Sequence, residues 1–311
     1  MKIVFFGTPE PAAACLQTLL DAKHQIVGVV TQPDRPRGRG RQIAFSPVKE
    51  LAIKNNLLIA QPAKVKNNPE FSSWLRSLKA EIAVVVAYGQ ILPGDILDVP
   101  KFGFINLHAS LLPKYRGAAP VQWALLNGEK ETGVTIMQID QRLDAGEIIR
   151  QEKIAIEEED NAETLAHRLF AVGKEVLLQA IREIETGKAE LRAQVESEAT
   201  FAPALTKESG ELDWRKPAAQ INNRIRALVP WPTAHTFFKG KQLKLWRAEV
   251  LPGKEPRPGE ILEIVKNSGF IVGTGQGGLL VLEVQIEGKN RILASDFMLG
   301  YDVKIGDQIP S

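Results

Sequence analysis

Short, continuous apolar runs alternate with segments of helical period over the first 150 residues of the chain. KIVFFG (2–7), QIVGVV (25–30), EIAVVVAYG (81–89), GFINLHA (103–109) and TGVTIMQI (132–139) are apolar nearly throughout, the pattern of strands buried on both faces. Between them, PEPAAACLQTLLDA (9–22), PVKELAIKNN (47–56), PEFSSWLRSLK (69–79) and APVQWALLNG (119–128) space their apolar residues as helices do. Pro11 is compatible with the first of these because it falls in the first turn, where its missing N–H has no helical partner anyway. Such alternation predicts βαβ units, and hence an α/β fold with a mostly parallel sheet. Ligands of these sheets bind beyond the carboxyl ends of the strands, where Tyr88, His108 and the turn after Ile139 fall.

The longest helical pattern is 161–186, with Leu165, Leu169, Val172, Val176, Ile181 and Ile184 near one face and Gly187 ending it. The segment that follows is weakly periodic and reads as a linker over 189–206. From about residue 207 the texture becomes short β-rich runs: AHTFFKG, QLKLWRAEV, GEILEIV, GFIVGTG and GLLVLEVQI. Close turn signals between them predict a small antiparallel barrel or sandwich. The expected division is therefore 1–188, a linker at 189–206, and 207–311.

Composition narrows the class. Apolar content of 44% with 24% charged residues is that of an ordinary soluble globular protein. IVFFG after Met1-Lys2 is too short for a signal-peptide core, and no run reaches the roughly 18 apolar residues of a membrane span. The single cysteine, Cys15, has no internal disulfide partner and lies among Ala and Leu, consistent with a buried small hydrophobe in a reducing, cytoplasmic setting. His24, His167 and His235 lack ligand-spaced partners, so no metal site is expected. Of a dinucleotide fingerprint after the first strand only Gly7 is present, and GTGQGG (273–278) separates two strand-like runs as a hairpin turn would.

Two short stretches carry candidate chemistry. INLHASLLPKYRG (105–117) puts Asn106 and His108 on one side of a strand that breaks immediately afterwards, and QRLDAGEI (141–148) puts Asp144 in a turn. Taken singly, a histidine is more often structural and an Asp before Ala-Gly is often a turn residue. The net charge of +2 hides two concentrations of cations. DRPRGRGRQIAFSPVK (34–49) holds Arg35, Arg37, Arg39, Arg41 and Lys49 against Asp34; its Gly and Pro content predicts a mobile basic loop rather than a helix or strand. Residues 214–247 contain eight Lys/Arg, including Arg215, Lys216, Lys239, Lys241 and Lys244, with no Asp or Glu. Interleaved there are Trp214, Trp231, Phe237, Phe238 and Trp246. Core packing claims some of these aromatics; cations interleaved with the others suit a phosphate backbone and exposed bases.

INLHASLLPKYRGAAPVQWALLNG followed by TGVTIMQIDQRLDAGEII resembles the signature of the 10-formyltetrahydrofolate-dependent formyltransferases. FFGTPEPAA, TQPDRPRGRGR…SPVK and ALTKESGELDW extend the likeness over essentially the whole chain and match the branch acting on methionyl-tRNA. The resemblance implies a Rossmann-like catalytic domain and a C-terminal OB-like barrel that binds tRNA. It implies 10-formyltetrahydrofolate as formyl donor, methionyl-initiator tRNA as acceptor, no metal, and a monomer. It assigns catalysis to Asn106, His108 and Asp144, and folate contact to Ser110, Leu111, Leu112 and Pro113 and to the strand-end wall Ala87, Tyr88, Gly89 and Gln90. Residues 34–46 correspond to its tRNA-acceptor loop, with Arg39 at the basic position. A formyltransferase for a nucleotide sugar or purine intermediate, or a formyl-folate hydrolase, would share the Asn-x-His and Asp but not need the basic segments. A non-catalytic RNA-binding protein would not need the intact triad.

Overall fold

The computed structural model describes residues 1–37, 42–254 and 256–310. Its strands are β1 (Lys2–Gly7), β2 (Gln25–Val30), β3 (Arg35–Arg37), β4 (Gln42–Ala44), β5 (Ile59–Ala60), β6 (Ile82–Val86), β7 (Phe104–His108), β8 (Glu131–Gln138) and β9 (Ile148–Ala155), then β10 (Ala234–Phe238), β11 (Lys241–Leu251), β12 (Ile261–Val265), β13 (Gly269–Gly273), β14 (Gly278–Ile286) and β15 (Ile292–Leu293). The helices are α1 (Glu10–Asp21), α2 (Pro47–Lys54), α3 (Pro69–Ser77), α4 (Gly94–Leu97), α5 (Pro120–Leu126), α6 (Ala162–Glu185), α7 (Ala218–Ala227) and α8 (Ala294–Tyr301). They form two compact units. The first comprises Met1–Gly117, Glu131–Ala155 and His167–Phe201, and the second Ala118–Lys130, Ile156–Ala166 and Ala202–Ser311.

In the first unit the strand order is β5-β2-β1-β6-β7-β8-β9. Pairings from β5 to β7 are parallel, and β8 and β9 join antiparallel. The chain runs outward from β1 to β2 and β5, then returns to β6 on the other side of β1, and such a reversal opens a crevice at the strands' carboxyl ends. Ile3, Val4, Phe5 and Phe6 of β1 are wholly buried. The Phe6 ring meets those of Tyr88 and Phe104, each at 5.3 Å, and Phe71 at 6.3 Å. Full burial of a ring of this kind stabilises by roughly 1.5–3 kcal/mol, so the residues leading into the site loops are firmly anchored. Cys15 on α1 is inaccessible and burial pushes its thiol up to about 12, which leaves it unreactive.

Helix α6 buries Leu165, Leu169, Val176 and Ile181 as its periodicity predicts, and Leu177 and Ala180 as well. A side chain at Gly173 would meet Leu107, so this helix lies against β7. Because Leu107 alternates with Asn106 and His108, the helix covers the face of β7 opposite to theirs.

Two local expectations change. Arg35–Arg37 and Gln42–Ala44, expected to be loop, pair as a two-stranded antiparallel ribbon. Three residues a side suffice because a short ribbon needs only its own backbone partners, and Pro36 costs it just one donor. The second concerns 189–206, which read as linker. Here Arg192 pairs with Ile148, Phe201 pairs with Arg116, and Glu196–Glu198 form a 3-10 turn, all within the first unit. Apolar periodicity misses this stretch because polar bonds order it, while Val195 and Phe201 stay exposed.

The second unit holds an antiparallel sheet in the order β10-β11-β14-β13-β12, with β15 on β14. Beta10 and β12 end that path and do not pair with each other among the described residues. Its core gathers Trp214, Ile221, Ile225, Phe238, Phe270 and Phe297. Trp214 and Phe238, two of the candidate stacking aromatics, are thus core residues, and the Trp214 indole N–H donates to Thr236 at 3.2 Å. GTGQGG is a hairpin connection between β13 and β14, with the Thr274 hydroxyl donating to the carbonyls of Gln276 and Gly277. Helix α5 belongs to this unit despite its early place in the chain, and the Trp123 indole N–H donates to the Pro203 carbonyl at 2.9 Å. No helix among the described residues is long and apolar enough to cross a membrane.

Candidate active site

Strand β7 lies between β6 and β8, with Asn106 beside Val85 and Met137 and His108 opposite Thr135. Period-two alternation sends Asn106 and His108 to one face at the carboxyl end of the strand. His108 is only 6% exposed, and its Nε2 donates to the Tyr115 carbonyl at 2.9 Å. Tyr115 has a left-handed backbone, φ +62°, unusual for a residue with a side chain. On its other side the ring presents Nδ1 to Asp144 Oδ2 at 3.6 Å, too long for a hydrogen bond but well within Coulombic reach. The same carboxylate oxygen accepts the Gly117 N–H at 2.8 Å, and Asp144 too is left-handed, at φ +48°.

Asn106 differs from this tied-down pair. Its half-buried carboxamide makes no hydrogen bond to any described residue, leaving an uncharged N–H donor available beside the imidazole. The turn that supplies Asp144 depends on Gly146, where a β-carbon would collide with the Gln138 carbonyl. Gly146→Ala should therefore displace the Asp144 turn and lose activity before the protein loses its fold, checked by turnover alongside thermal melting.

The segment Ser110–Pro113 is fixed from beneath. The Ser110 hydroxyl donates to the Lys114 carbonyl at 2.6 Å, and Thr135 donates to the Ser110 carbonyl at 2.6 Å. Thr135 also accepts the Leu112 N–H, while Gln151 donates to the Leu112 carbonyl and to Thr135. Ser110 and Leu112 are buried; Leu111 and Pro113 are half-buried.

A cleft of about 820 Å³ opens where the strand order reverses. Thr8 after β1, Gln32 after β2, and Ala87, Tyr88 and Gly89 after β6 line it. Ala87 is left-handed at φ +46°, which exposes the backbone of this wall. The Thr8 hydroxyl and the Gln32 amide both donate to the Tyr88 carbonyl. Tyr88 presents backbone rather than hydroxyl; its OH is buried without a partner among the described residues, and burial raises its pKa. Gln90 turns away to bond the Val65 N–H and the Pro62 carbonyl. Among the described residues no group of His, Cys, Asp and Glu is arranged to hold a metal ion.

An imidazole–carboxylate pair, a free amide donor and a cleft at the switch point are groups of the kind that acyl transfer uses. Residues 1–181 match the family model "Formyl transferase", and residues 204–302 match "Formyl transferase, C-terminal domain". The chain belongs to the formyltransferase family. It is 48% identical over 308 residues to the methionyl-tRNA formyltransferase of Caldanaerobacter subterraneus subsp. tengcongensis, covering 98% of this chain and 99% of that one. With the methionyl-tRNA formyltransferase of Alkaliphilus oremlandii it shares 44% identity over 308 residues, covering 99% of each chain. In fold it is similar to an N-formyltransferase from Helicobacter canadensis solved with folinic acid and dTDP-3-aminofucose (TM-score 0.70, 20% identity, 90% of this chain and 98% of that one).

The basic residues of this formyltransferase fall into distinct settings. Arg39 and Arg41 lie outside the described residues, and Arg37 pairs through its backbone with Gln42. Lys49 is no free cation: Asp34 holds it in an ion pair, and Lys49 with Gln61 keeps the Asp34 carboxyl below the usual carboxylate range. Arg35 lines the cleft with Phe45 and Ser46, so the base of the basic segment is also pocket wall. Arg215 is held by Asp213 at 2.8 Å, and Lys239 by the Asp302 carbonyl at 2.7 Å with its carboxylate at 3.8 Å. Lys241 and Lys244 have no acidic partner among the described residues, and Lys216, in no close ion pair there, lies within Coulombic reach of the Asp213 carboxylate that holds Arg215. Trp231 and Phe237 are exposed, and Trp246 packs beneath the Arg291 guanidinium.

Sequence reasoning passed over Arg116, Tyr115, Gly117, Gln194 and Thr200. The first three stand inside the quoted KYRG, where the break after a candidate strand was the available signal. Gln194 and Thr200 carried none. Thr200 accepts the Tyr115 N–H at 2.9 Å and its carbonyl accepts the Arg116 N–H at 2.8 Å, so the stretch expected to be linker borders the site.

Proposed function

We propose that this formyltransferase moves the formyl group of 10-formyltetrahydrofolate to the free α-amine of methionyl-initiator tRNA, for the initiation of translation. The observation that carries the chemistry is the unengaged Asn106 carboxamide on the same strand face as the His108–Asp144 pair. The end-to-end likeness to methionyl-tRNA formyltransferases, C-terminal part included, supports the acceptor.

The attacking amine adds to the formyl carbon on the folate's anilino nitrogen and a tetrahedral oxyanion forms. Asn106 donates to that oxygen, an uncharged donor whose N–H costs no reorganisation as charge develops. The amine must shed a proton. With Nε2 committed to Tyr115, His108 offers Nδ1 as the proton acceptor, and Asp144 at 3.6 Å stabilises the resulting imidazolium. The anilino nitrogen takes a proton as its bond to the formyl carbon breaks. No step calls on a metal.

The folate occupies the cleft, resting on the backbone of Ala87, Tyr88 and Gly89. Gln90 supports that wall from behind, as Ser110 and Leu112 support the loop whose Leu111 and Pro113 flank the site. Residues 1–188 hold every proposed catalytic and folate-contacting position, and 207–311 supply most of an OB-like tRNA-binding domain, the protein acting as a monomer in the cytoplasm. Incubation with formyl-folate and a panel of aminoacylated tRNAs, read by mass spectrometry, tests the proposal. Formyl-methionine must appear on the initiator tRNA; formylation of an amino sugar nucleotide alone, or plain folate hydrolysis, would overturn it.

The basic segment gives a separable expectation. Arg39→Ala and Arg41→Ala should weaken use of charged tRNA and leave folate binding unchanged. Arg35→Ala should alter both, because Arg35 lines the cleft. Equilibrium folate binding and tRNA KM on the three variants check the distinction.

A further inference from the structure

Gln194 occupies a position no chemical signal in the sequence marks. Its amide donates to the carbonyls of Asp144 and Gly146, each at 2.8 Å. Its Oε1 accepts from Arg116, Nε at 3.1 Å and Nη2 at 2.9 Å. Arg116 is 97% buried by its 3% exposure, and its outer edge forks onto the Glu196 carboxylate, holding that group below the usual carboxylate range. The residues flanking Arg116 are the ones that touch the reacting pair: the Tyr115 carbonyl accepts from His108, and the Gly117 N–H donates to Asp144. The connections close on themselves. Gln194 fixes the backbone that carries Asp144, and through Arg116 the backbone that orients both Asp144 and His108.

We infer that Gln194 is a positioning residue for formyl transfer, setting the Asp144–His108 geometry through its four hydrogen bonds to the Asp144 turn and Arg116. The inference rests on the proposed role of Asp144. Asp144 and Tyr115 are both left-handed, a sparsely populated backbone for residues with side chains that persists only where neighbours over-determine it. Gln194 ties the two turns to each other alongside the bond from the Gly117 N–H to the Asp144 carboxylate. A carboxamide is required because one end must accept from a guanidinium and the other must donate to carbonyls.

That requirement yields a decisive substitution in the full-length protein. Gln194→Glu keeps the shape and strengthens the bond to Arg116, but sets a carboxylate oxygen against two carbonyls. Gln194→Met keeps the volume and drops every bond. If Gln194 served only to tie its segment to Arg116, Glu would behave as wild type and Met would lose stability. As a positioning residue, Glu lowers kcat at least as much as Met, by about ten- to a hundred-fold, the scale of a misplacement near one ångström. KM for formyl-folate and methionyl-tRNA stays unchanged, and the melting temperature of the Glu variant stays at or above that of Met. Combined with Asp144→Asn, either change should add little further loss, because both act on one element. Wild-type kcat in Gln194→Glu, or losses that multiply in the double variant, overturns the inference; should the Glu variant fail to fold, the Met variant and its double decide. An unimpaired Asp144→Asn would instead overturn the underlying role of Asp144, so the two failures read differently.

Discussion

Replacing Asn106 with Ala lowers formyl transfer by about a hundred- to a thousand-fold, the usual cost of one oxyanion donor, while folate binding and melting behaviour persist. The expectation follows from the setting of Asn106: its carboxamide has no hydrogen-bond partner among the described residues, so its removal disturbs no internal network. His108→Ala removes the proposed proton acceptor and should cost about a hundred- to ten-thousand-fold. It also strands the Tyr115 carbonyl and the Asp144 carboxylate, so some instability accompanies it. Asp144→Asn is the cleaner probe. The amide oxygen still accepts the Gly117 N–H, so the turn is retained and the charge alone is lost. Single-turnover transfer from formyl-folate to methionyl-tRNA measures all three. Near-wild-type turnover in the His108 variant would sink its role.

The strands that build this site were legible because β1, β6 and β7 are buried on both faces and therefore read as unbroken apolar runs. Beta9 was not: only Ile148 and Ile149 are buried, and the RQEKIA that follows is polar edge strand. Asn106, His108 and Asp144 were legible as residue types at a strand end and a turn, and as a resemblance. Their contact is a matter of backbone geometry at Tyr115 and Gly117, which no periodicity encodes. The stretch after α6 escaped because hydrogen bonds through Gln194 and Thr200, not apolar burial, hold it in place. Nor does chain order reveal that α5, at 120–126, packs with α7, at 218–227, in the second unit. That last fact bears on experiment. A chain cut after residue 205 would keep α5 but strip it of α7, so charge substitution in the intact protein is the sounder probe of the C-terminal half.

Neutralising Lys216, Lys241 and Lys244 together should lower tRNA affinity steeply at low salt and flatten its salt dependence. These are the cations of 214–247 predicted to meet phosphate that form no close ion pair among the described residues. Arg215 and Lys239 belong to the same acid-free run, but Asp213, just before it, and Asp302, far along the chain, engage them. Each phosphate contact contributes roughly 0.7 to 0.9 to the slope of log affinity against log salt, so three contacts account for a change of about 2 to 3. Neutralising Arg215 and Lys239 should change the slope less, since their charge is already compensated locally; exposed pairs of this kind add little to stability, so the fold tolerates the change. The loss should be nearly the same for initiator and elongator tRNAs, because phosphate contacts position a nucleic acid without reading its sequence. Filter binding across a salt series measures both quantities. An unchanged slope in the triple variant would mean that the second unit does not hold tRNA through these lysines, and exposed Trp231 and Phe237 would then be the surfaces left to carry the contact by stacking.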